Sequence, residues 1–191
     1  MNTNPENTNQ QLNRVRYQRA ALQGVLNYRL SPPSLDQCRI PGFNPNDSSR
    51  IWQCTQQILK YASEENFLRQ RVKRKAQIAS GQPIPVSTWQ LRSPLSGDES
   101  VVFSIVEAIS ITGRDDECEL VLPLPHISRK HVVLTPQPDG LRIRDLDSTN
   151  GTRVNGVLVQ EAVLHHGDTL TIAGLTLVLE YCAPMEGVFV A

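Results

Sequence analysis

The sequence predicts a mainly β C-terminal half, either a sandwich or a barrel, preceded by a helical region. Three observations predict it. Turn signals crowd the second half, at Pro138-Asp139-Gly140, Asn150-Gly151, Asn155-Gly156, Gly167-Asp168 and Ala173-Gly174, and closely spaced turns leave room only for short strands. The segments between them alternate or are rich in β-branched residues, as in Leu141-Arg142-Ile143-Arg144. The first half instead repeats apolar residues at intervals of three and four.

Residues 1–10 are nearly all Asn, Thr and Gln around Pro5, too polar to bury anything, and read as a disordered tail. Residues 11–80 form the helical region. One helix is expected from Gln10 to Leu30, with Leu12, Val15, Leu22 and Leu26 on one side and Ser31-Pro32-Pro33 as its stop. A second runs from Ser49 to about Ala79, carrying Ile51, Cys54, Ile58, Ala62, Leu68, Val72 and Ala76; Asp47 and Ser48 are its cap candidates, and Gly81 and Pro83 end it. Two narrow apolar faces make a thin core, so this region should lean on the second half or on a second protein partner. Residues 81–98 are dense in Pro, Gly and Ser and read as a linker. Strands are then expected in 101–111, near 141–144 and at 175–181, within a domain spanning 99–183, with 184–191 as a C-terminal tail.

Composition excludes several classes of protein. The chain of 191 residues is 39% hydrophobic and 20% charged, with 13 prolines, which does not suit a helical bundle. No run reaches the roughly 20 apolar residues of a membrane helix, and the first thirty residues lack the apolar centre of a secretory signal, so a cytoplasmic location is expected. Cys38, Cys54, Cys118 and Cys182 form no CxxC pair, which leaves zinc-knuckle and thioredoxin chemistry without support. His165-His166 has no third ligand in view, and no metal or cofactor is expected. GxSxG, GxxxxGK[ST] and HExxH motifs are absent, so the chain is read as a non-enzyme.

The net charge is zero, but residues 1–95 hold 13 basic and 5 acidic residues while 96–191 hold 6 and 14. Such asymmetry suggests two units with different work and a mutual attraction. The basic run Arg69, Arg71, Lys73, Arg74 and Lys75 is a candidate contact for an acidic protein surface, a partner's or that of this chain's own second half, or for nucleic acid, the last the less favoured because aromatic residues are scarce around it.

Three turn-rich segments hold the informative polar residues: Thr112-Gly113-Arg114, then His126-Ile127-Ser128-Arg129-Lys130-His131, then Asp147-Ser148-Thr149-Asn150-Gly151-Thr152. Loops at one end of a sandwich commonly converge. Gathered together, these would supply guanidinium groups, hydroxyls and a carboxamide, a mixture suited to a phosphate on an extended peptide.

Those segments, with Cys118-Glu119-Leu120-Val121-Leu122, Val154-Asn155-Gly156 and Leu164-His165-His166-Gly167-Asp168-Thr169-Leu170, resemble the forkhead-associated (FHA) domain over roughly residues 99–182. The resemblance implies a two-sheet β-sandwich that binds phosphothreonine peptides through loops at one end. It implies Arg114 and Ser128 as the principal phosphate contacts, Arg129 as a peptide contact, Thr149 as a lining residue and Asn150 as a hydrogen-bond partner of the peptide backbone. His131 is implied to hold the loops together, with Gly113, Gly151 and Gly156 as turn residues needing unusual backbone angles and Asn155 beside them. Glu119 stands where the family usually has Asp. His126 and residues 153–159 are expected to border the specificity region.

The expected function is accordingly a non-catalytic phosphothreonine-binding adaptor in Ser/Thr-kinase-dependent signalling or regulated assembly, its partner a phosphorylated protein such as a kinase or its substrate. The alternatives are a structural subunit that uses the sandwich without phosphate dependence, and a nucleic-acid-binding regulator acting through residues 69–75.

Overall fold

The computed structural model describes residues 5–30, 48–81, 89–94, 101–106 and 108–182. Two helices lead, α1 (Pro5–Leu30) and α2 (Ser48–Ala79), followed by β1 (Trp89–Ser93), β2 (Val101–Ile105), β3 (Ser110–Gly113), β4 (Leu120–Val121), β5 (Val132–Gln137) and β6 (Gly140–Asp145). The chain continues through β7 (Thr152–Val154), β8 (Val157–Val159), β9 (Glu161–Leu164), β10 (Thr169–Ile172) and β11 (Leu175–Tyr181).

The strands form a two-sheet sandwich, which decides between the two expected architectures. One sheet has the order β2-β1-β11-β10-β7-β8 and the other β4-β3-β5-β6-β9. Every pair is antiparallel except β3 with β4. Alternation builds the core: in β1, Trp89 and Leu91 are buried between half-exposed neighbours, and in β11 Leu177 and Leu179 face inward. They meet Phe103, Leu134, Leu141, Ile143, Leu164, Leu170 and Ile172 in one apolar cluster. Two hairpins turn on adjacent residues with positive φ, Asn155-Gly156 (50° and 83°) and Ala173-Gly174 (49° and 88°), the geometry that suits the right-handed twist of paired strands.

Two expected boundaries are corrected. Helix α1 begins at Pro5, so residues 5–10, expected in a disordered tail, are helical. Proline is favoured in a first turn because its missing N–H has no intrahelical role there, and Thr8, Val15 and Arg19 form a buried stripe along the helix. The expected linker 81–98 contains β1, which pairs with both β2 and β11. Its pattern Trp-Gln-Leu-Arg-Ser is short and set among breakers, so the local composition obscured a central strand. Residues 1–4 and 184–191 lie outside the described residues.

Helix α2 lies along the side of the sandwich where β2 edges one sheet and β4 the other. Ile58, Leu59 and Ala62 enter the sandwich core. A polar stripe on the same helix meets the open edges: Ser63 donates to the Val102 carbonyl at 2.5 Å and Gln70 to the Ser104 carbonyl at 2.7 Å. Asn66, itself buried, both donates to the Val121 carbonyl and accepts its N–H, each at 3.2 Å. Backbone groups at a sheet edge otherwise need water or a second chain. The helix thus completes the domain, and α1 packs on α2.

Candidate functional site

The site begins where β3 ends. A side chain at Gly113 would place its Cβ 2.1 Å from the Arg129 carbonyl oxygen and 2.8 Å from its carbon, so only glycine lets the two loops touch. Its φ is not positive, which corrects the expectation of an unusual backbone angle: what the position requires is close approach. Two loop-to-loop hydrogen bonds follow at once. Arg114 N–H donates to the Ser128 carbonyl at 3.0 Å and Asp115 N–H to the Arg129 carbonyl at 3.2 Å. The Cys118 thiol also donates to the Arg129 carbonyl, at 3.3 Å. Burial and the negative charge of Asp115 push that thiol up to about 11, so it serves as a neutral donor, not a nucleophile.

The third loop joins through Ser128, whose hydroxyl accepts the Thr149 N–H at 3.1 Å. Arg114, Ser128, Arg129 and Thr149 thereby line one open groove of about 590 Å³, together with Asp115, Glu117 and Lys130. Asn150 stands at the edge of this group, its carboxamide donating to the His126 carbonyl at 2.7 Å. Of the five residues the sequence offers as peptide contacts, four line the groove and Asn150 does not, whereas Asn155 and Gly156 belong to the adjoining hairpin. There Asn155 is pinned between Asp168 and Thr169, and the His165 N–H, with the Asn155 carboxamide, holds the Asp168 carboxyl below its ordinary range.

Beneath the groove a buried polar network fixes the loops. His131 accepts the Ser128 N–H through Nδ1 and meets the Gly151 carbonyl through Nε2 at 3.3 Å. That pattern assigns the neutral tautomer with the proton on Nε2. Burial pushes the imidazole below its ordinary pKa, against the opposing pull of the Gly151 carbonyl and Asp145. Asp145, 3.8 Å away, receives the Thr152 hydroxyl and both the hydroxyl and the N–H of Ser148. Burial alone would raise its pKa, but these hydrogen bonds outweigh burial and hold it low. The Ser148 hydroxyl in turn accepts the Gly151 N–H, and Gly151 has a φ of 72°.

Sequence reasoning missed Asp145, Ser148, Thr152 and Cys118 as organisers of this end, and Asp115 and Glu117 as part of the groove wall. The Asp145-x-x-Ser148 spacing, where a carboxylate can accept an N–H three residues on, was the available signal. Glu119, at the position where Asp was expected, accepts the Ile111 N–H at 2.9 Å and ties the loop to β3.

The basic run is only partly a surface feature. Arg69 turns inward, pairing with Glu65 at 2.7 Å and donating to the Asp116 carbonyl at 2.8 Å, so the acidic surface it meets is that of this chain's own second half. Arg71 and Lys75 are half-buried, while Lys73 and Arg74 are exposed. Among the described residues no group of three or more His, Cys, Asp or Glu is arranged to hold a metal ion, and no helix is long and apolar enough to cross a membrane.

The chain is similar to known proteins over part of its length. Residues 111–173 match the FHA domain family model. The ABC transporter ATP-binding/permease protein Rv1747 of Mycobacterium tuberculosis is 47% identical over 66 residues, covering 35% of this chain and 8% of its own length. The glycogen accumulation regulator GarA of the same species is 32% identical over 96 residues, covering 50% of this chain and 57% of its own. A solved structure from work on phosphothreonine-dependent FHA domain interactions is 26% identical, covering 50% of this chain and 98% of its own, with a TM-score of 0.45. The chain spans less than two thirds of either relative's length. It carries an FHA domain, to whose sheet edges the N-terminal helix α2 is joined.

Proposed function

We propose that this chain is a non-catalytic adaptor that captures a phosphothreonine segment of a partner protein in the groove between Arg114, Ser128, Arg129 and Thr149. The observation that carries this reading is the convergence of those four side chains, from three separate loops, on one solvent-open groove. Two guanidinium groups and an ammonium face it across two carboxylates, a surplus of one positive charge that a phosphate dianion answers. Asn150, beside the groove, supplies a carboxamide that can bond an extended peptide backbone.

Charge-assisted hydrogen bonds contribute roughly 1.5–3 kcal/mol each. Loss of two of them on dephosphorylation weakens binding by about 10²- to 10⁴-fold, which makes the interaction a switch. The helices supply the second half of an adaptor: Tyr17, Phe67 and Ile78 are exposed on them, apolar groups available to a second protein. A cytoplasmic setting, where Ser/Thr kinases act, accords with this role.

The test is binding of peptide pools with a fixed phosphothreonine, set against the same pools with threonine. The phosphorylated pool should bind at least 100-fold more tightly. Arg114 is exposed, so Arg114→Ala should abolish that preference without lowering the thermal midpoint. Equal affinity for both pools would remove the reading.

A further inference from the structure

The loop after Arg114 has two faces, and each is engaged by a different part of the protein. On one face Asp115 and Glu117 line the proposed phosphothreonine groove. On the other, helix α2 and helix α1 hold the same few residues. Arg69 donates to the carbonyls of Asp116 (2.8 Å) and Cys118 (3.4 Å). Arg19 pairs with the Asp116 carboxylate at 2.6 Å, and Asn66 holds Val121 from both sides. Glu117 borders a second cleft as well, of about 260 Å³, between the helices and the loop, so the loop is the wall the two spaces share.

The two arginines are not independent. Both pair with Glu65, which is 1% exposed, as does Arg16. A carboxylate at that depth is tolerable only while guanidinium groups compensate it, and because Arg16 and Arg19 from α1 share it with Arg69 from α2, unseating α1 changes the pairing that aims Arg69 at the loop. The chain of contact runs from Arg19 through Glu65 to Arg69, on to the carbonyls of 116 and 118, and so to the backbone that presents Arg114.

We infer that Arg69 and Arg19 are positioning residues for the phosphothreonine groove, so that peptide binding and the seating of the two helices are energetically coupled. This rests on the phosphothreonine reading given above. Coupling of this kind is reciprocal: whatever loosens the helices weakens peptide capture, and a captured peptide holds the helices down by the same factor. A partner that engages α1 or α2 would then tune the groove without touching it.

The chain of 191 residues tests this with two variants, Arg69→Gln and Asp116→Asn, each titrated with the fixed-phosphothreonine pool while amide hydrogen exchange is followed in residues 65–69 and 115–121. Expected is a loss of affinity on the order of tenfold for Arg69→Gln, a smaller loss for Asp116→Asn, and slowed exchange in 65–69 when peptide binds the native chain but not when it binds Arg69→Gln. A purely structural role would lower thermal stability and leave that peptide-dependent protection in place. If Arg69→Gln fails to fold, Asp116→Asn decides, because Asp116 is exposed and leaves Arg19 paired with Glu65. Native affinity in the variants, or exchange in 65–69 that ignores the peptide, overturns the coupling while leaving the phosphothreonine reading standing. A native chain indifferent to phosphorylation overturns both.

Discussion

The imidazole of His131 accepts the backbone N–H of Ser128 at 3.1 Å through Nδ1, and this bond exists only while that nitrogen is unprotonated. Protonation would set two N–H groups against each other in a site with no solvent access, since His131 is fully buried. Burial accordingly lowers its pKa in the fold from 6.5. The unfolded chain then binds the extra proton first as pH falls below that value, and stability declines from there downward with a limiting slope of about 1.4 kcal/mol per pH unit. Asp145 acts in a separate window: its pKa is lowered from 3.8, so its contribution is present above that value and lost below it. Urea denaturation at pH 7.5 and 5.5 should show the native chain weaker at 5.5, with the difference attenuated in His131→Gln. An equal pH response in the variant would count against the assignment.

Gly113→Ala should be among the most damaging single-methyl changes in the domain. The added carbon meets backbone, the Arg129 carbonyl at 2.1 Å, and backbone cannot swing aside as a side-chain terminus can. Relief requires the β3 end and the Arg129 loop to part, breaking the bonds from Arg114 and Asp115 to that loop. A loss of roughly 2–4 kcal/mol is expected, with phosphopeptide binding reduced even at temperatures where the variant stays folded. Chemical denaturation and titration of the same sample separate the two effects.

Asn66→Leu tests the sheet-edge role of α2. Its carboxamide satisfies both backbone groups of Val121 on the edge strand β4, and leucine of similar size would leave a buried donor and a buried acceptor without partners. Each such orphan costs about 1–3 kcal/mol, so a loss of about 2–5 kcal/mol is expected. By contrast Arg74→Ala, at an exposed position on the same helix, should change stability by less than about 0.5 kcal/mol.

The same residues explain what was legible in the sequence and what was not. Strands with one buried face announced themselves: in β6, Leu141 and Ile143 are buried while Arg142 and Arg144 are exposed, as the alternation requires. The groove residues were legible because their types, set in turns, match one chemistry. Helix α2 was legible as a helix, but its buried face includes Glu65 and Asn66 while Val72 is 38% exposed. Hydropathy cannot register a polar side chain whose burial depends on a partner more than 40 residues away, as Glu65 depends on Arg16 and Arg19 and Asn66 on Val121. Arg69 shows the same limit: a guanidinium in a basic run does not reveal which acidic surface it meets until Glu65 and the Asp116 carbonyl are beside it. Gly113 misled differently, because sequence does not distinguish a glycine needed for its φ from one needed for its missing Cβ.

Ala173 offers a stabilising change. The two-residue turn between β10 and β11 places Ala173 at a φ of 49° and Gly174 at 88°, whereas the turn between β7 and β8 fills the equivalent positions with Asn155 and Gly156. Left-handed backbone costs an L-residue such as alanine roughly 1–2 kcal/mol, and asparagine tolerates it better through local hydrogen bonding. Ala173→Asn is therefore expected to stabilise the domain by about 0.5–1 kcal/mol, raising the thermal midpoint by about 1–4 °C. Ala173→Val, whose branched side chain suits that region worse, should lower it. Ala173 does not line the groove, and its bond to the Thr149 loop is made by its backbone N–H, which donates to the Gly151 carbonyl at 3.4 Å and is kept in Ala173→Asn, so peptide affinity should change by less than about twofold in that variant. A midpoint that falls in Ala173→Asn would mean that the half-buried alanine methyl, which packs against the core, contributes more than the turn strain costs.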